Sequence, residues 1–336
     1  MEIGRAGRGI AAGIAVAGVV GLGLLALPGG AGAAPELPPV SAQDLVASVL
    51  AAHPGPFNGS VELDNSLGLP ALPNLPQAAN GTSTAQVWSG GDGKGRVQIP
   101  SSTGERTLVS DGTTFWSWNS ADKTVTKATK QAGQTQSAPA DPTAAATDAL
   151  TKLQPTSVIS VDGTAEVAGR PAYDLVLTPK PTERTLLREV RIAVDAQSRV
   201  PLQLTVLAQG STTPALQIGY TDLTFGTQDA SLFTFTPPDG ATVTDKPARP
   251  QSAAKPDAPN VVGDGWDTVV VEKLPAQQGQ GQRPTDGLAG MGTPISGSWG
   301  SGHLISTAVA TAIITDDGRV AVGAVPEQVL SETLSK

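Results

Sequence analysis

Few side chains in this sequence can do chemistry. Cysteine is absent and the histidines are two, His53 and His303. Thiol catalysis, a disulfide framework, a cysteine-based zinc site and an iron–sulfur cluster are thereby excluded. A multi-histidine metal site lacks its ligands. A serine nucleophile needs a base, and the best-placed serine is Ser301, two positions before His303. Its glycine-rich surroundings lack the nucleophile-elbow pattern. Asp316 and Asp317 put two carboxylates together, but in an Asp-Asp-Gly stretch whose composition is that of a turn. Gly91-Asp92-Gly93-Lys94-Gly95 is glycine-rich without the spacing of a phosphate-binding loop or a dinucleotide fingerprint. The sequence therefore predicts a chain with no catalytic residue, no metal and no cofactor.

The aromatic residues say more. They make up only 4% of the chain, and most of them fall in segments that read as strands. In 113–119, Phe115 and Ser117 face one side while Trp116 and Trp118 face the other, because successive strand residues alternate. Trp88, Tyr173 and Tyr220 lie on other strands. Leu175, Leu177, Leu204, Val206, Leu216 and Ile218 add alternating apolar faces. Such faces either close on one another as an ordinary core or line a cavity for acyl chains, and the pattern alone leaves both open.

Two helices and a long meander must position these residues. Ser41 with Asp44 marks a helix start, and Leu45, Val46, Val49 and Leu50 form its apolar stripe up to about Ala52. A second helix is expected over 141–153, with Asp141 as cap and Pro142 at the first helical position. Strands are expected at 82–89, 96–99, 106–110, 113–119, 123–128, 157–162, 164–168, 171–178, 187–195, 202–208 and 215–223. Asp111-Gly112 is the strongest hairpin signal among them. So many short strands with so few helices predict one curved sheet wrapped on a helix. Beyond it, the proline-rich stretch 237–260 reads as a linker, and 266–273 as one strand. The segment 275–299 reads as a loop and 303–315 as a strand or short helix. A strand at 319–325 and a short helix from Pro326 follow.

Arg5 and Arg8 precede an apolar run from Ile10 to Leu27 and the Ala31-Gly32-Ala33 site, the layout of a secretory signal peptide. Cleavage is expected after Ala33. The alternative is an uncut membrane helix, since the run is just long enough to span a bilayer. Without a cysteine no lipidated anchor can form. Residues 1–34 contribute +1 (Arg5 and Arg8 against Glu2) to the formal charge of −8, which leaves −9 for the rest. That acidity argues against nucleic acid as a partner. The abundance of Gly, Ala and Pro fits a high-GC bacterial genome such as an actinobacterial one.

Three stretches carry a resemblance. Residues 107–119, Thr-Leu-Val-Ser-Asp-Gly-Thr-Thr-Phe-Trp-Ser-Trp-Asn, resemble the signature hairpin of the periplasmic lipoprotein carrier family LolA. Tyr173-Asp-Leu-Val-Leu-Thr-Pro-Lys180 resembles that family's L-x-L-T-P-K strand. Leu232-Phe-Thr-Phe-Thr-Pro-Pro-Asp-Gly-Ala-Thr-Val243 resembles its F-x-F-x-P-P-x-G-x-x-V ending. The order and spacing agree over about residues 40–245. The resemblance implies a mainly β fold, an unclosed antiparallel β-barrel with helices on its concave side, here followed by a small C-terminal α+β extension. It implies a non-catalytic, exported protein that holds lipid or lipoprotein acyl chains in its cavity. The implied cavity residues are Trp88, Trp116, Trp118, Tyr173, Leu175, Leu177, Leu204, Val206, Ile218 and Tyr220. One departure stands out. The proteobacterial carriers place an arginine after the tryptophan of the second strand to hold a lid. Here Trp88 is followed by Ser89, Gly90, Gly91 and Asp92, with no arginine before Arg96.

In the C-terminal part, Asp264-Gly-Trp266 and Asp317-Gly-Arg-Val-Ala-Val-Gly-Ala-Val-Pro326 resemble the C-terminal domain of RseB-type regulators of anti-sigma factors. The alternative function is thus an envelope-stress regulator that binds a membrane anti-sigma factor through residues 261–336. The expected organisation is a signal peptide at 1–34, an acyl-binding domain at 35–245, a linker at 246–260 and an extension at 261–336. Expected partners are acyl chains of a lipid or lipoprotein and a membrane-anchored export complex or anti-sigma factor. The expected location is the extracytoplasmic cell envelope.

Overall fold

The computed structural model describes residues 35–68, 80–129, 150–246, 260–273 and 292–336. The expected signal peptide at 1–34 lies outside the described residues, as do most of the second helix and residues 247–259 of the linker.

Helix α1, Ala42–Ala51, starts where the sequence places it. The Ser41 hydroxyl accepts the backbone N–H of Asp44 at 3.0 Å and donates to the Asp44 carboxylate at 2.6 Å. Six strands follow: β1 Phe57–Asn65, β2 Gly81–Gly91, β3 Lys94–Ser101, β4 Gly104–Asp111, β5 Thr114–Asn119 and β6 Thr124–Thr129. Helical turns at Leu150–Leu153 lead into β7 Ser157–Val167, β8 Arg170–Pro179, β9 Leu187–Asp195, β10 Pro201–Ala208 and β11 Pro214–Phe225. A 3-10 turn at Ala230–Phe233 then leads to β12 Thr242–Lys246.

These twelve strands form one sheet in the order β12-β6-β5-β4-β3-β2-β1-β11-β10-β9-β8-β7. Its two edge strands, β12 and β7, do not pair with each other, so the sheet is open, as expected for an unclosed barrel. Every pairing is antiparallel except β12 on β6. Two expectations are corrected. Residues 242–246, read as part of a linker, are an edge strand, since Thr242 and Val243 fit the β6 ladder beside Thr124 and Val125. Strand β1 is central yet was not expected, because Asn58, Gly59, Asp64 and Asn65 are poor strand formers that only the two flanking ladders stabilise.

Asp111-Gly112 makes its hairpin. One Asp111 carboxylate oxygen accepts the N–H groups of Thr113 and Thr114, and Gly112 takes φ +100°.

A second sheet has the order β13-β14-β18-β17-β16-β15: β13 Asn260–Val262, β14 Val269–Lys273, β15 Thr293–Gly297, β16 Gly300–Ser306, β17 Thr311–Thr315 and β18 Arg319–Gly323. Helix α2, Glu327–Leu334, packs Val329, Leu330 and Leu334 on Ile313 and Ala321. The region 303–315 is therefore two strands, and Trp266 belongs to the turn before β14 rather than to the strand.

Candidate functional site

Register decides which of the apolar residues share a face. Across antiparallel strands, paired residues point the same way. One row of pairs runs Val161–Leu175–Ile192–Leu204–Ile218–Leu63 through β7, β8, β9, β10, β11 and β1. The next runs Ile159–Leu177–Val190–Val206–Leu216. Five adjacent strands thus present two continuous apolar rungs on one face.

Helix α1 covers only part of this floor. Leu45 packs with Tyr173, Leu175, Leu177 and Val194, and Val46 and Val49 join the same cluster beside Ile159, Val161 and Ile192. Tyr173 also donates its hydroxyl to the Pro38 carbonyl at 2.9 Å, which fixes the chain entering the helix. Leu63, Leu204, Val206, Leu216 and Ile218 lie beyond the helix and are half-buried. They extend the apolar face three strands further, over β10, β11 and β1, a stretch called the trough below. At the far end Tyr220 is buried with Val61, Phe57 and Leu202, and burial pushes its phenol up to about 12, so it stays neutral.

The reverse face of the same strands carries a charged group in its middle, although Ala172, Val176, Ala193 and Leu207 on that face are buried. Arg191 pairs with Asp174 at 2.6 Å and Glu189 at 2.8 Å. Burial raises the Asp174 carboxyl against the pull of Arg191. The alternation along β9 therefore puts Val190, Ile192 and Val194 on the apolar face and the ion pairs of Glu189 and Arg191 on the other.

Of the ten sequence-selected residues, the structure brings Tyr173, Leu175, Leu177, Leu204, Val206, Ile218 and Tyr220 to the face of the floor. Tyr173 and Tyr220 are buried in its ends rather than lining the open part. Trp88, Trp116 and Trp118 do not join them. Trp88 pairs with Asn58, Arg96 with Trp88, Val109 with Arg96 and Trp116 with Val109, a rung of the opposite parity to Leu63. Trp118 shares the parity of Trp116. The three tryptophans therefore sit on the opposite face. There Trp116 meets Phe235 of the segment after β11, 5.6 Å ring to ring, and the Lys127 ammonium of β6 lies 5.1 Å from the same ring. Arg96 is the register partner of Trp88 and reaches the Leu232 carbonyl at 3.4 Å. Sequence reasoning also missed Leu63, Val190 and Ile192, which complete the rungs.

A cleft of about 310 Å³ lies by the 3-10 turn, lined by Gly90, Lys94, Asp111 and Phe233 among others. It contains none of the ten residues. Its carboxylate, Asp111, is already engaged in the hairpin turn. Ser301 donates to the Asp316 carboxylate, and among the described residues no hydrogen bond joins it to His303. No group of three His, Asp or Glu residues is placed to hold a metal among the described residues.

No family model and no curated protein matches the chain. Solved structures do. A MucA/MucB complex of Pseudomonas aeruginosa is 18% identical, covering 88% of this chain and 96% of that one, with a TM-score of 0.49. A conserved protein of Thermus thermophilus is 11% identical over 61% of this chain and 99% of its own, with a TM-score of 0.39. A LolA superfamily protein of Nitrosomonas europaea is 14% identical over 59% and 99%, with a TM-score of 0.26.

Proposed function

We propose that the protein is an exported, non-catalytic binder of acyl chains from a lipid or lipoprotein, which it holds in the trough over β10, β11 and β1. The observation that carries this reading is the row of half-buried apolar side chains, Leu63, Leu204, Val206, Leu216 and Ile218, which among the described residues lies beside helix α1 and outside the cluster that packs under it. An acyl chain laid there removes apolar area from water on both partners, at about 0.8 kcal/mol per methylene. Helix α1 can shift without breaking the sheet, which gives the trough a lid. The organisation that goes with this is a leader at 1–34, the binding unit at 35–245, a connector at 246–260 and a second unit at 261–336, with the protein working outside the cytoplasm.

The test uses displacement of a fluorescent fatty acid, with native mass spectrometry of protein purified from its own envelope. Wild-type protein is expected to bind the probe and to carry lipid, and Ile218→Asp to weaken probe binding at least tenfold while melting cooperatively. A wild-type chain that neither carries lipid nor binds the probe would overturn the reading.

A further inference from the structure

The second sheet meets the first at one end of the binding unit. Ser157 begins β7, Leu187 begins β9, and Asn65 ends β1, so the residues flanking these points lie at one end of the antiparallel strands. Among the described residues the cross-sheet hydrogen bonds fall there, with Arg184 also donating to the Glu332 carboxylate of the second unit at 2.7 and 2.9 Å. The Thr185 hydroxyl and the Leu186 N–H both donate to the Ala324 carbonyl, at 2.6 and 2.8 Å. The Ala308 N–H donates to the Leu67 carbonyl at 3.3 Å. The Trp266 N–H donates to the Glu183 carboxylate at 2.9 Å, and its indole Nε1–H to the Ser157 hydroxyl at 2.7 Å.

Trp266 differs from the other contacts in where its ring goes. It packs in the cluster of Leu45, Tyr173, Leu175 and Leu177, the apolar floor that lies beneath α1. It is half-buried there, and its one polar atom is satisfied by Ser157, two residues before Ile159 of the nearer rung. The turn that carries it is tightly seated, since a side-chain carbon on Gly265 would lie 2.6 Å from Thr156. The open part of the floor is three strands wide, two spacings of about 4.8 Å, or roughly 10 Å. Helix α1 packs on the rungs between this open part and Trp266, so a longer chain advances toward Trp266 by displacing α1, the lid of the acyl reading.

We propose that Trp266 is the inner wall of the acyl site, contributed by the second sheet, and that it sets the longest chain the site accepts. This rests on the reading of the trough as an acyl site. Within that reading, each methylene added before the wall strengthens binding about fourfold, and methylenes beyond the wall add little. Removing the indole opens the space that Trp266 fills beside Leu177 and Leu45, so the plateau moves to longer chains.

The experiment is displacement of a fluorescent fatty acid from the full chain by saturated fatty acids of about eight to eighteen carbons. Trp266→Ala is expected to shift the plateau outward by at least two carbons, about a tenfold gain or more for the longest acid relative to wild type. Trp266→Phe, which keeps a ring, is expected to leave it near the wild-type position. An unmoved plateau in a Trp266→Ala protein that binds short acids normally overturns the proposal. Should that variant fail to fold, hydrogen exchange on the wild type decides: long acids should change protection at 156–159 and 260–268 where short ones do not, and equal changes overturn the proposal. No binding of any acid by the wild type sinks the acyl reading itself, whereas binding with an unmoved length limit sinks only the wall.

Discussion

Arg170 holds Asp195 by two contacts across the β8–β9 ladder, Nε to Oδ2 at 2.5 Å and Nη2 to Oδ1 at 3.2 Å. The carboxylate is buried, and it also accepts the N–H groups of Gln197 and Ser198 in the turn to β10. The other side of the Arg170 guanidinium lies 5.0 Å over the Phe225 ring at the end of β11. One ion pair thus ties a hairpin, a turn and the middle of the sheet together.

Breaking that pair from one side is expected to be costly, because the other partner and two turn N–H groups lose their acceptor. Asp195→Ala should lose about 3–5 kcal/mol of stability in urea unfolding. Burial opposes ionisation of Asp195, but Arg170 and the Ser198 and Gln197 N–H groups outweigh it and hold its pKa below the ordinary value. A depressed acid stabilises the fold above its unfolded pKa of about 3.9 and loses that contribution as pH falls further. Wild-type stability should therefore drop below about pH 4, with a shallower slope in Asp195→Asn. Equal slopes would assign the acid sensitivity elsewhere.

Gly59 is required by contact rather than by backbone angle. A side-chain carbon there would lie 2.6 Å from the Asp222 carbonyl oxygen and 2.8 Å from the Tyr220 ring. Gly59→Ala should cost about 1–3 kcal/mol, the usual range for overpacking. Gly55→Ala, where no atom lies within 4 Å of the added carbon, should melt as wild type does. Indistinguishable melting of the two variants would show that β1 and β11 part easily at this point.

The two faces of the sheet should respond oppositely to mutation. Trp116 packs on Phe235 away from the trough, so Trp116→Ala is expected to lower stability by about 2 kcal/mol and leave fatty-acid binding unchanged. Leu204→Asp should weaken binding at least tenfold with a smaller change in melting, since Leu204 is half-buried. Loss of binding in Trp116→Ala at full occupancy of the folded state would put the acyl site on the tryptophan face.

How much of this was legible depended on the range of the signal. The hairpin at Asp111-Gly112, the cap at Ser41 and the alternation within each strand are local, and the sequence carries them. Which faces of distant strands coincide is not local. Trp88 and Leu204 both read as alternating apolar residues, yet they lie on opposite faces, because β2 reaches β10 only through β1 and β11. Bulges such as that between Ser60 and Val61 shift the phase along the way. The segment 303–315 was ambiguous for a related reason: its apolar run spans two strands, and the turn between them, 307–310, contains no Gly, Pro, Asn or Asp. The second-sheet contribution of Trp266 could not be read at all, since nothing near Ser157 in sequence points to it.

The strand order has a kinetic consequence. Strands β1 to β6 neighbour one another in sequence, as do β7 to β11, so each half can form as a local meander. The two meanders join along β1 on β11, whose partners include residues as far apart in the chain as Phe57 and Phe225, and β12 then adds to the far edge at β6. The entropy of closing that long loop falls first on the β1–β11 ladder, which joins the two meanders. This ladder is also the middle of the trough, where Leu63 meets Ile218. Refolding should therefore be limited by zipping β1 to β11, and the floor of the trough should be the last part of the large sheet to assemble and the first to open.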